Sequence, residues 1–244
     1  MQEFGKTQEK EEIDAVFIYG GILDAYEAVG IELIGPTVLE EHVLPKMVYY
    51  VREFLPEIFS ERVKDPETLT ADLKAFLDQY RDKIEQAREK GTAQEYFTMD
   101  EIWQLRAAIF GYESAFIDIL GEAAIKTYVF KRIADILSAY LPDAFVEEKI
   151  MLKEKLNAYV KYIQEKDFVR YANYKISNDL VTITANRCAF SKIHNSEAYR
   201  NANVRFCPWG MVGSAILASH LGKETTIDSC LFTTKGSVSK IVSK

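Results

Sequence analysis

The feature that most constrains the fold of this chain is an internal repeat. Residues 19–59 align without gaps with residues 105–145, at a constant shift of 86 positions, and eight of the 41 aligned pairs are identical. The identical pairs include one of glycine and one of proline, Gly35/Gly121 and Pro56/Pro142. Unrelated amphipathic helices share apolar character by chance, but glycine and proline mark helix ends at defined places. The pattern therefore indicates that one structural unit has been duplicated.

The repeat unit has the periodicity of a helical hairpin. Glycine and proline at 35–36 suit a helix stop, because proline cannot continue the hydrogen-bond ladder. Thr37 and Glu40 form a T-x-x-E start signal for a second helix that ends near Phe54. Pro45 lies inside this second helix and predicts a kink or a late start.

A third helix is predicted after each hairpin, around residues 67–90 in the first copy and 147–166 in the second. This prediction rests on the segments "LKAFL" and "LNAYV", which align after a three-residue deletion. A charged, Gly-containing stretch joins the copies. Thr98 followed by Glu101 predicts the start of the next helix.

The pattern changes from helical to alternating after about residue 168. The stretch "NYKISNDLVTITA" predicts a β-hairpin that turns at residues 177–179. Side chains alternate along a strand, so one set is expected to face the core and the other to face away. The inward set is Val181, Ile183 and Ala185, and the outward set is Thr182 and Thr184.

A helix and two more strands complete the prediction. The helix spans 208–221 and stops at Gly222, and the last two strands flank Lys235 and Gly236. The fold class is therefore α+β, with duplicated helical hairpins followed by a C-terminal antiparallel sheet packed with one helix. We divide the chain into a first helical copy at 1–95 and, at 96–244, a second helical copy joined to the α+β domain.

Composition narrows the functional classes. The N-terminus is polar, and no apolar run reaches the ~20 residues of a membrane helix, so we expect a cytoplasmic protein without a membrane span. The net charge is −7, although residues 182–244 alone carry +5. An acidic body argues against general nucleic-acid binding. Three cysteines argue against a disulfide framework and leave free thiols or metal ligands.

Three segments near the C-terminus carry a family resemblance: "FCPWG" with its small-residue helix, "HLGKETTIDSC" and Gly236. Residues 105–244 resemble the 4-vinyl reductase domain, a family of hydrocarbon-binding and sensory modules, with 19–59 as a truncated copy. The resemblance implies a small apolar or aromatic ligand inside a helix-covered sheet. In phenol-sensing members, cysteines and a carboxylate near the last hairpin hold zinc. Cys230 matches the family cysteine and Asp228 lies near the acidic position, but the cysteine after the hairpin glycine is absent.

Cys207 is the strongest candidate for chemistry, because it lies at the N-terminus of the predicted 208–221 helix. Unpaired N–H groups and the helix dipole favour an anion there, which lowers a thiol pKa. In one interpretation Cys207 is the nucleophile of a cysteine-dependent enzyme, with His194 as its base. We rank Cys207 higher as a ligand or pocket wall, because the dipole alone shifts its pKa by about one unit or less.

Two further sets of residues define the remaining interpretations. Cys188, Cys207 and Cys230, with Asp228 or His194 as the fourth ligand, have donors that suit zinc or an iron–sulfur cluster in a redox protein, although no C-x₂-C pair is present. Aromatic side chains and one cation are predicted to line a ligand cavity: Trp209, Tyr112, Trp103 and Arg205. Our leading prediction is the binding, or sensing, of a small hydrophobic or aromatic molecule. Whether the protein catalyses a reaction, and whether it forms a homodimer, stays open at this point.

Overall fold

The computed structural model describes residues 15–55, 66–90, 97–138, 141–178, 180–188 and 206–244. Helices come first and a four-stranded sheet follows, as the predicted α+β class requires. The first hairpin and the helix after it consist of α1 (Ala15–Ile34), α2 (Pro36–Val38), a π-helical turn (Leu39–Val43), α3 (Leu44–Phe54) and α4 (Pro66–Lys90). The second hairpin consists of α5 (Met99–Leu120), α6 (Glu122–Ala124), a π-helical turn (Ile125–Val129) and α7 (Phe130–Ser138).

The repeat extends to the local backbone. From the end of α1 to the start of α3, every boundary recurs 86 positions later in the second copy. Gly35 has φ 82° and ψ 159°, and Gly121 has φ 83° and ψ 157°. Other residues rarely adopt this conformation, so glycine is required at both helix junctions.

The predicted start signals had different outcomes. Thr98 and Glu101 form a capping box at the start of α5, as predicted. The prediction from Thr37 and Glu40 was wrong, since the helix begins at Pro36 and Gly35 is its N-cap without a side-chain hydrogen bond. Proline at the first helical position loses no hydrogen bond, because the first N–H groups of a helix have no intrahelical acceptor.

Pro45 lies just after the first π-helical turn, at the start of α3. It does not cause this turn, because the second copy has the same turn with Lys131 at the corresponding position. The π-helical turn therefore belongs to the repeat unit itself.

The two hairpins interlock. Helix α3 of the first copy packs on α5 of the second, α7 of the second packs on α1 of the first, and α1 packs on α5. Ion pairs join Lys46 to Asp118 and Arg132 to Glu32. Lys46 corresponds to Arg132, and Glu32 corresponds to Asp118. The same ion pair therefore forms twice with the copies exchanged, as expected at the interface of a two-fold symmetric dimer.

The axis of this internal dimer passes near Tyr26 and Tyr112, which occupy equivalent positions. Their rings stack on each other with centroids 5.9 Å apart and planes 18° apart. Both side chains are buried.

The third helices are both present, but their packing is not equivalent. Helix α4 packs on α3 and α1. A short helix, α8 (Asp143–Val146), precedes α9 (Leu152–Glu165), which packs on the sheet instead. The structural repeat is therefore the hairpin, without its third helix.

The sheet consists of β1 (Val169–Ser177), β2 (Leu180–Cys188), β3 (Thr225–Thr233) and β4 (Gly236–Ser243). Its order is β1-β2-β4-β3 and every pair is antiparallel. The predicted register of β2 is confirmed: Val181, Ile183 and Ala185 are buried, and the threonines between them are partly exposed. Helix α10 (Pro208–Leu221) packs on the sheet as predicted and lies over β3 and β4, and α9 adds a second covering helix over β1.

Replacing either junction glycine should destabilise the protein to the same extent. An added Cβ at Gly35 or Gly121 meets no atom within 4 Å, so the backbone conformation alone determines the cost. We expect Gly35→Ala and Gly121→Ala each to lower the free energy of unfolding by about 1–3 kcal/mol. Urea denaturation of both variants measures this. A clear difference between them would show that the two junctions are not equivalent.

Candidate functional site

The N-terminus of α10 lies inside the protein. Cys207 is the N-cap, with an extended backbone, and Pro208 takes the first helical position. The Cys207 carbonyl accepts the first helical hydrogen bond from the N–H of Met211, at 3.0 Å. The predicted N-cap position is therefore confirmed. Cys207 is only 3% exposed, so this position is shielded from solvent.

Two charged side chains of α5 hold the residue before this N-cap. Arg106 Nη2 donates to the carbonyl oxygen of Phe206 at 3.5 Å. Glu113 Oε2 accepts a hydrogen bond from the N–H of Phe206 at 3.3 Å. Arg106 is 3% exposed and Glu113 is fully buried. A cation and an anion of the second copy therefore lie in the protein interior beside Cys207.

The inner face of the last hairpin is polar at the same place. Cys230 of β3 pairs with Ser239 of β4 in the register, and their Sγ and Oγ atoms are 3.3 Å apart. Ser237 lies two residues earlier on β4 and hydrogen-bonds the Cys207 thiol. Ser237 and Ser239 are both buried.

We call these six residues, of which five are buried and Cys230 is partly buried, the buried polar cluster: Arg106, Glu113, Cys207, Cys230, Ser237 and Ser239. They come from α5, the start of α10 and the last β-hairpin. The first copy reaches the cluster through Tyr26. Burial, followed by the nearby Glu113 carboxylate, raises the pKa of the Tyr26 hydroxyl well above its usual value.

The thiols of the cluster stay protonated near neutral pH. Burial raises the pKa of Cys207, and this effect outweighs Ser237, Arg106 and the N–H groups at the start of α10, which act in the opposite direction. Burial also raises the pKa of Cys230 to about 12, with the neighbouring Cys207 adding to the shift. A protonated thiol is a poor nucleophile, which favours Cys207 as a pocket wall over Cys207 as a catalytic group. His194, its predicted base, lies outside the described residues.

Trp209 belongs to the core beside the cluster. Its ring stacks on Phe168 with centroids 5.4 Å apart, and Tyr19 of the first copy lies 6.1 Å away at a tilt. Trp209 Nε1 donates to the Cys188 sulfur at 3.3 Å, and Tyr159 donates to the Trp209 carbonyl at 2.7 Å. Trp209 is therefore held by two aromatic neighbours, by its indole N–H and by its backbone carbonyl.

The other predicted ligand-binding residues are dispersed. Tyr112 stacks on Tyr26 at the interface between the copies, and Trp103 is half-buried near the start of α5. Arg205 lies outside the described residues. Of the predicted aromatic set, only Trp209 is next to Cys207 in sequence and in the core of the sheet domain.

The predicted metal ligands do not converge. In the described part of the chain, no three Cys, His, Asp or Glu side chains are placed to hold one metal ion. Asp228 is exposed at a β-bulge, and its carbonyl accepts a hydrogen bond from Lys126 at 2.9 Å. Cys188 contacts the Trp209 indole and Cys230 contacts Ser239, so Cys188, Cys207, Cys230 and Asp228 do not form a metal-binding group.

Sequence reasoning missed four members of the cluster. Arg106 was detectable, because it interrupts an apolar helix and aligns with Gly20 of the first copy. Glu113 aligns with the identical Glu27, and that identity concealed a difference in environment: Glu27 pairs with Arg81 near the surface. Ser237 and Ser239 share one face of a predicted strand, but no signal in the sequence indicates that this face points inward.

Comparison with known proteins identified no relative: no family model, curated protein or solved structure matches the chain. The resemblance to the 4-vinyl reductase domain therefore stays a prediction. Across the described ranges, no helix combines the length and apolar character that crossing a membrane requires.

The raised pKa of Cys230 predicts a pH-dependent stability. In the unfolded chain a cysteine ionises near pH 8.5, whereas folded Cys230 ionises near pH 12. The stability that the protonated Cys230 thiol contributes is therefore fully present below about pH 8.5 and is lost as the pH rises towards 12. We expect the free energy of unfolding to fall with pH above about 9 more steeply in the wild type than in Cys230→Ser, by about 1.4 kcal/mol per pH unit. Urea denaturation at several pH values tests this, and parallel curves would contradict it.

Proposed function

We propose that the protein binds, and thereby senses, a small molecule with an apolar or aromatic body and one polar group. The site is the buried polar cluster, between the helices and the sheet. The observation that carries this proposal is the burial of Arg106 and Glu113 beside Cys207. Moving charged groups out of water costs several kcal/mol unless they are well paired, so buried charges often mark functional sites.

The first copy provides an internal comparison. The same hairpin forms there with glycine at the position of Arg106 and with a partly exposed glutamate at the position of Glu113. The hairpin fold therefore does not require a buried Arg and Glu. Their presence in the second copy alone supports a role specific to the side that meets the sheet.

The surroundings suit an apolar ligand with a single polar group. Phe206 packs edge-on against Phe130 at 4.8 Å beside the cluster. The neutral thiols and serine hydroxyls offer weak donors and acceptors, and Arg106 and Glu113 offer strong ones. Binding sites for small molecules are mostly apolar with a few well-placed polar groups.

We place this activity in the cytoplasm. The described cysteines are free thiols. Thiols that function in the reduced form persist in a reducing compartment.

The test begins with native mass spectrometry of freshly purified protein, which detects a retained small molecule. A thermal-shift titration with phenol, toluene, benzoate and medium-chain fatty acids then compares apolar compounds that carry no polar group, a hydroxyl or a carboxylate. We expect at least one compound to raise the Tm in a saturable way. No retained molecule and no saturable shift would contradict the proposal.

A matched pair of variants locates the site. Glu113→Gln keeps an acceptor for the Phe206 N–H and so retains the fold, but it removes the charge. We expect it to weaken binding by about tenfold or more, since hydrogen bonds to charged groups contribute about 1.5–3 kcal/mol. Glu27→Gln, at the equivalent position of the first copy, should leave binding unchanged. Equal binding by both variants would place the ligand elsewhere.

A further inference from the structure

Three exposed cations lie at the end of the sheet where β1 begins and β2 ends: Arg170, Arg187 and Lys235. Arg170 is the second residue of β1, and Arg187 is the second-last residue of β2. Lys235 lies in the turn that joins β3 to β4. We call these three residues the cationic row.

The strand register places the cationic row on one line across the sheet. The residues on both sides of Arg170 pair with the residues on both sides of Arg187, so the two arginines lie opposite each other in β1 and β2. The N–H of Arg187 donates to the carbonyl oxygen of Lys235 at 2.8 Å, so the lysine is the next neighbour. Neighbouring strands are about 4.8 Å apart, so the backbones of the three residues lie within about 10 Å.

The charges of the cationic row are not compensated by ion pairs. The ion pairs among the described residues all involve other side chains. Like charges at directly opposite strand positions destabilise a sheet. Elsewhere in this sheet Thr182 lies between Lys175 and Lys240, so two cations are kept apart. The cationic row therefore costs stability that the sheet avoids losing at this other position.

The backbone at Arg187 is a second unfavourable feature. In the described chain three residues other than glycine have a positive φ: Asp167, Asn178 and Arg187, at 56°, 51° and 52°. Asp and Asn adopt this conformation readily, because their short polar side chains can hydrogen-bond the local backbone, and Arg does not have this property. Gly or Asn would suit position 187 better if only the fold mattered. We therefore expect the Arg187 side chain to have another role.

The chemistry of the cationic row and its neighbours suits a phosphate group. Tyr171, which is 49% exposed, pairs with Asn186 directly beside the two arginines. A phenol hydroxyl and an amide both donate hydrogen bonds to anions. Guanidinium groups bind phosphate through two parallel hydrogen bonds. A phosphate monoester carries about 1.5 to 2 negative charges at neutral pH, which matches several cations better than a single carboxylate does.

We propose that the cationic row binds the phosphate group of a phosphorylated small molecule. The bound phosphate offsets the repulsion between Arg170 and Arg187 and recovers the stability that their arrangement costs. The residues of this site are exposed, whereas the buried polar cluster lies in the interior. The inference is therefore independent of the ligand proposed for that cluster.

Isothermal titration calorimetry of the full-length protein at low ionic strength tests the proposal, with phenyl phosphate as the probe. We expect saturable binding that weakens with added NaCl, because salt screens exposed charges. Arg187→Asn removes the charge and adopts the left-handed backbone readily, so it should keep the fold and weaken binding at least about tenfold. Arg170→Gln should have the same effect. Arg52→Gln, which removes an exposed arginine of α3, should leave binding unchanged.

Thermal unfolding separates a binding role from a structural one. Without phosphate, Arg187→Asn should raise the Tm, because it removes both the repulsion and an arginine from the left-handed conformation. With saturating phenyl phosphate, the wild type should gain more in Tm than this variant does. A general stabilising effect of phosphate salts would raise both Tm values equally.

Three results would overturn the proposal. The first is a wild-type protein that shows no saturable binding of phenyl phosphate. The second is equal binding, or an equal gain in Tm, for the wild type and for Arg187→Asn and Arg170→Gln. The third is binding of inorganic sulfate as tightly as phenyl phosphate, which would show that the row attracts an adventitious ion only.

Discussion

Replacing Trp209 with alanine should lower the free energy of unfolding by about 3–5 kcal/mol, the usual cost of removing a buried aromatic side chain. The indole is 1% exposed and stacks on Phe168. It also donates a hydrogen bond to Cys188, which the variant would lose. Because typical domains are stable by only 5–15 kcal/mol, this single change removes a large share of the total. Chemical denaturation followed by circular dichroism measures it.

Two controls separate packing from ligand binding. Trp209→Phe keeps most of the ring contact and loses the N–H donor, so it should cost less than the alanine variant. Trp103→Ala removes a half-buried indole and should also cost less. If Trp209→Ala costs under about 1.5 kcal/mol, the indole lines a cavity that can close. In that case Trp209 would be a ligand contact and not a core residue.

The hairpins were predictable because glycine and proline mark the ends of helices whatever the surrounding packing. Gly35 and Gly121 end α1 and α5, and Gly222 ends α10 in the left-handed conformation. The π-helical turns were not predictable, since no residue type specifies them and the two copies share few residues there. The false start signal at Thr37 shows the same limit. A T-x-x-E sequence caps a helix only where the chain is not already helical.

The packing of the two copies on each other could also not be predicted from the sequence. Apolar stripes show which side of a helix is buried, but they do not identify the helix that covers it. Lys46 lies far in sequence from its partner Asp118, and only the fold brings them together. The alternation of Val181 and Ile183 was predictable, because a strand with one buried face permits a single register.

The sequence correctly placed Cys207 at the N-terminus of α10, but it did not indicate how burial affects the thiol. The helix N-terminus favours a thiolate, and burial of the whole region outweighs that preference. The cysteines are far apart in the sequence, so their spacing did not indicate whether their side chains would lie together. In the structure Cys188 contacts the Trp209 indole, which is not a metal ligand. Arg106 would have been found by asking where the two copies differ, but Glu113 would not, because it is identical to Glu27.

The chain resembles a two-fold symmetric dimer whose two halves differ. The first copy completes the helical interface and supplies Tyr26 to the second. The second copy carries the sheet and the buried polar cluster. One half therefore acts mainly as a structural partner for the half that holds the candidate site.

Separate fragments 1–95 and 96–244, expressed together, should associate as a one-to-one complex. The interface they share includes α3 on α5, α7 on α1, and the stacked tyrosines. Each fragment alone exposes these apolar surfaces, so we expect it to be insoluble or poorly folded. Co-purification through a tag on one fragment, followed by sedimentation equilibrium, measures the ratio. Recovery of two independently folded monomers would contradict the interlocked arrangement.

The complex should form in preference to a homodimer of 96–244, because the two halves differ next to the axis. Gly30 of the first copy leaves room for Phe116 of the second, and an added Cβ at Gly30 would lie 3.0 Å from the ring. Position 116 is equivalent to position 30, so a homodimer of 96–244 would place Phe116 against a second Phe116. Overpacking of this kind costs about 1–3 kcal/mol, and a two-fold symmetric dimer has one such contact, on its axis. Phe116→Gly should therefore increase the self-association of the soluble part of fragment 96–244 by about fivefold or more, as measured by sedimentation velocity. Phe110→Leu, a buried change away from this contact, should not. The ion pairs would still form in a homodimer of 96–244, because Arg132 of one fragment could pair with Asp118 of the other. The shape at position 116, and not charge, therefore selects the partner.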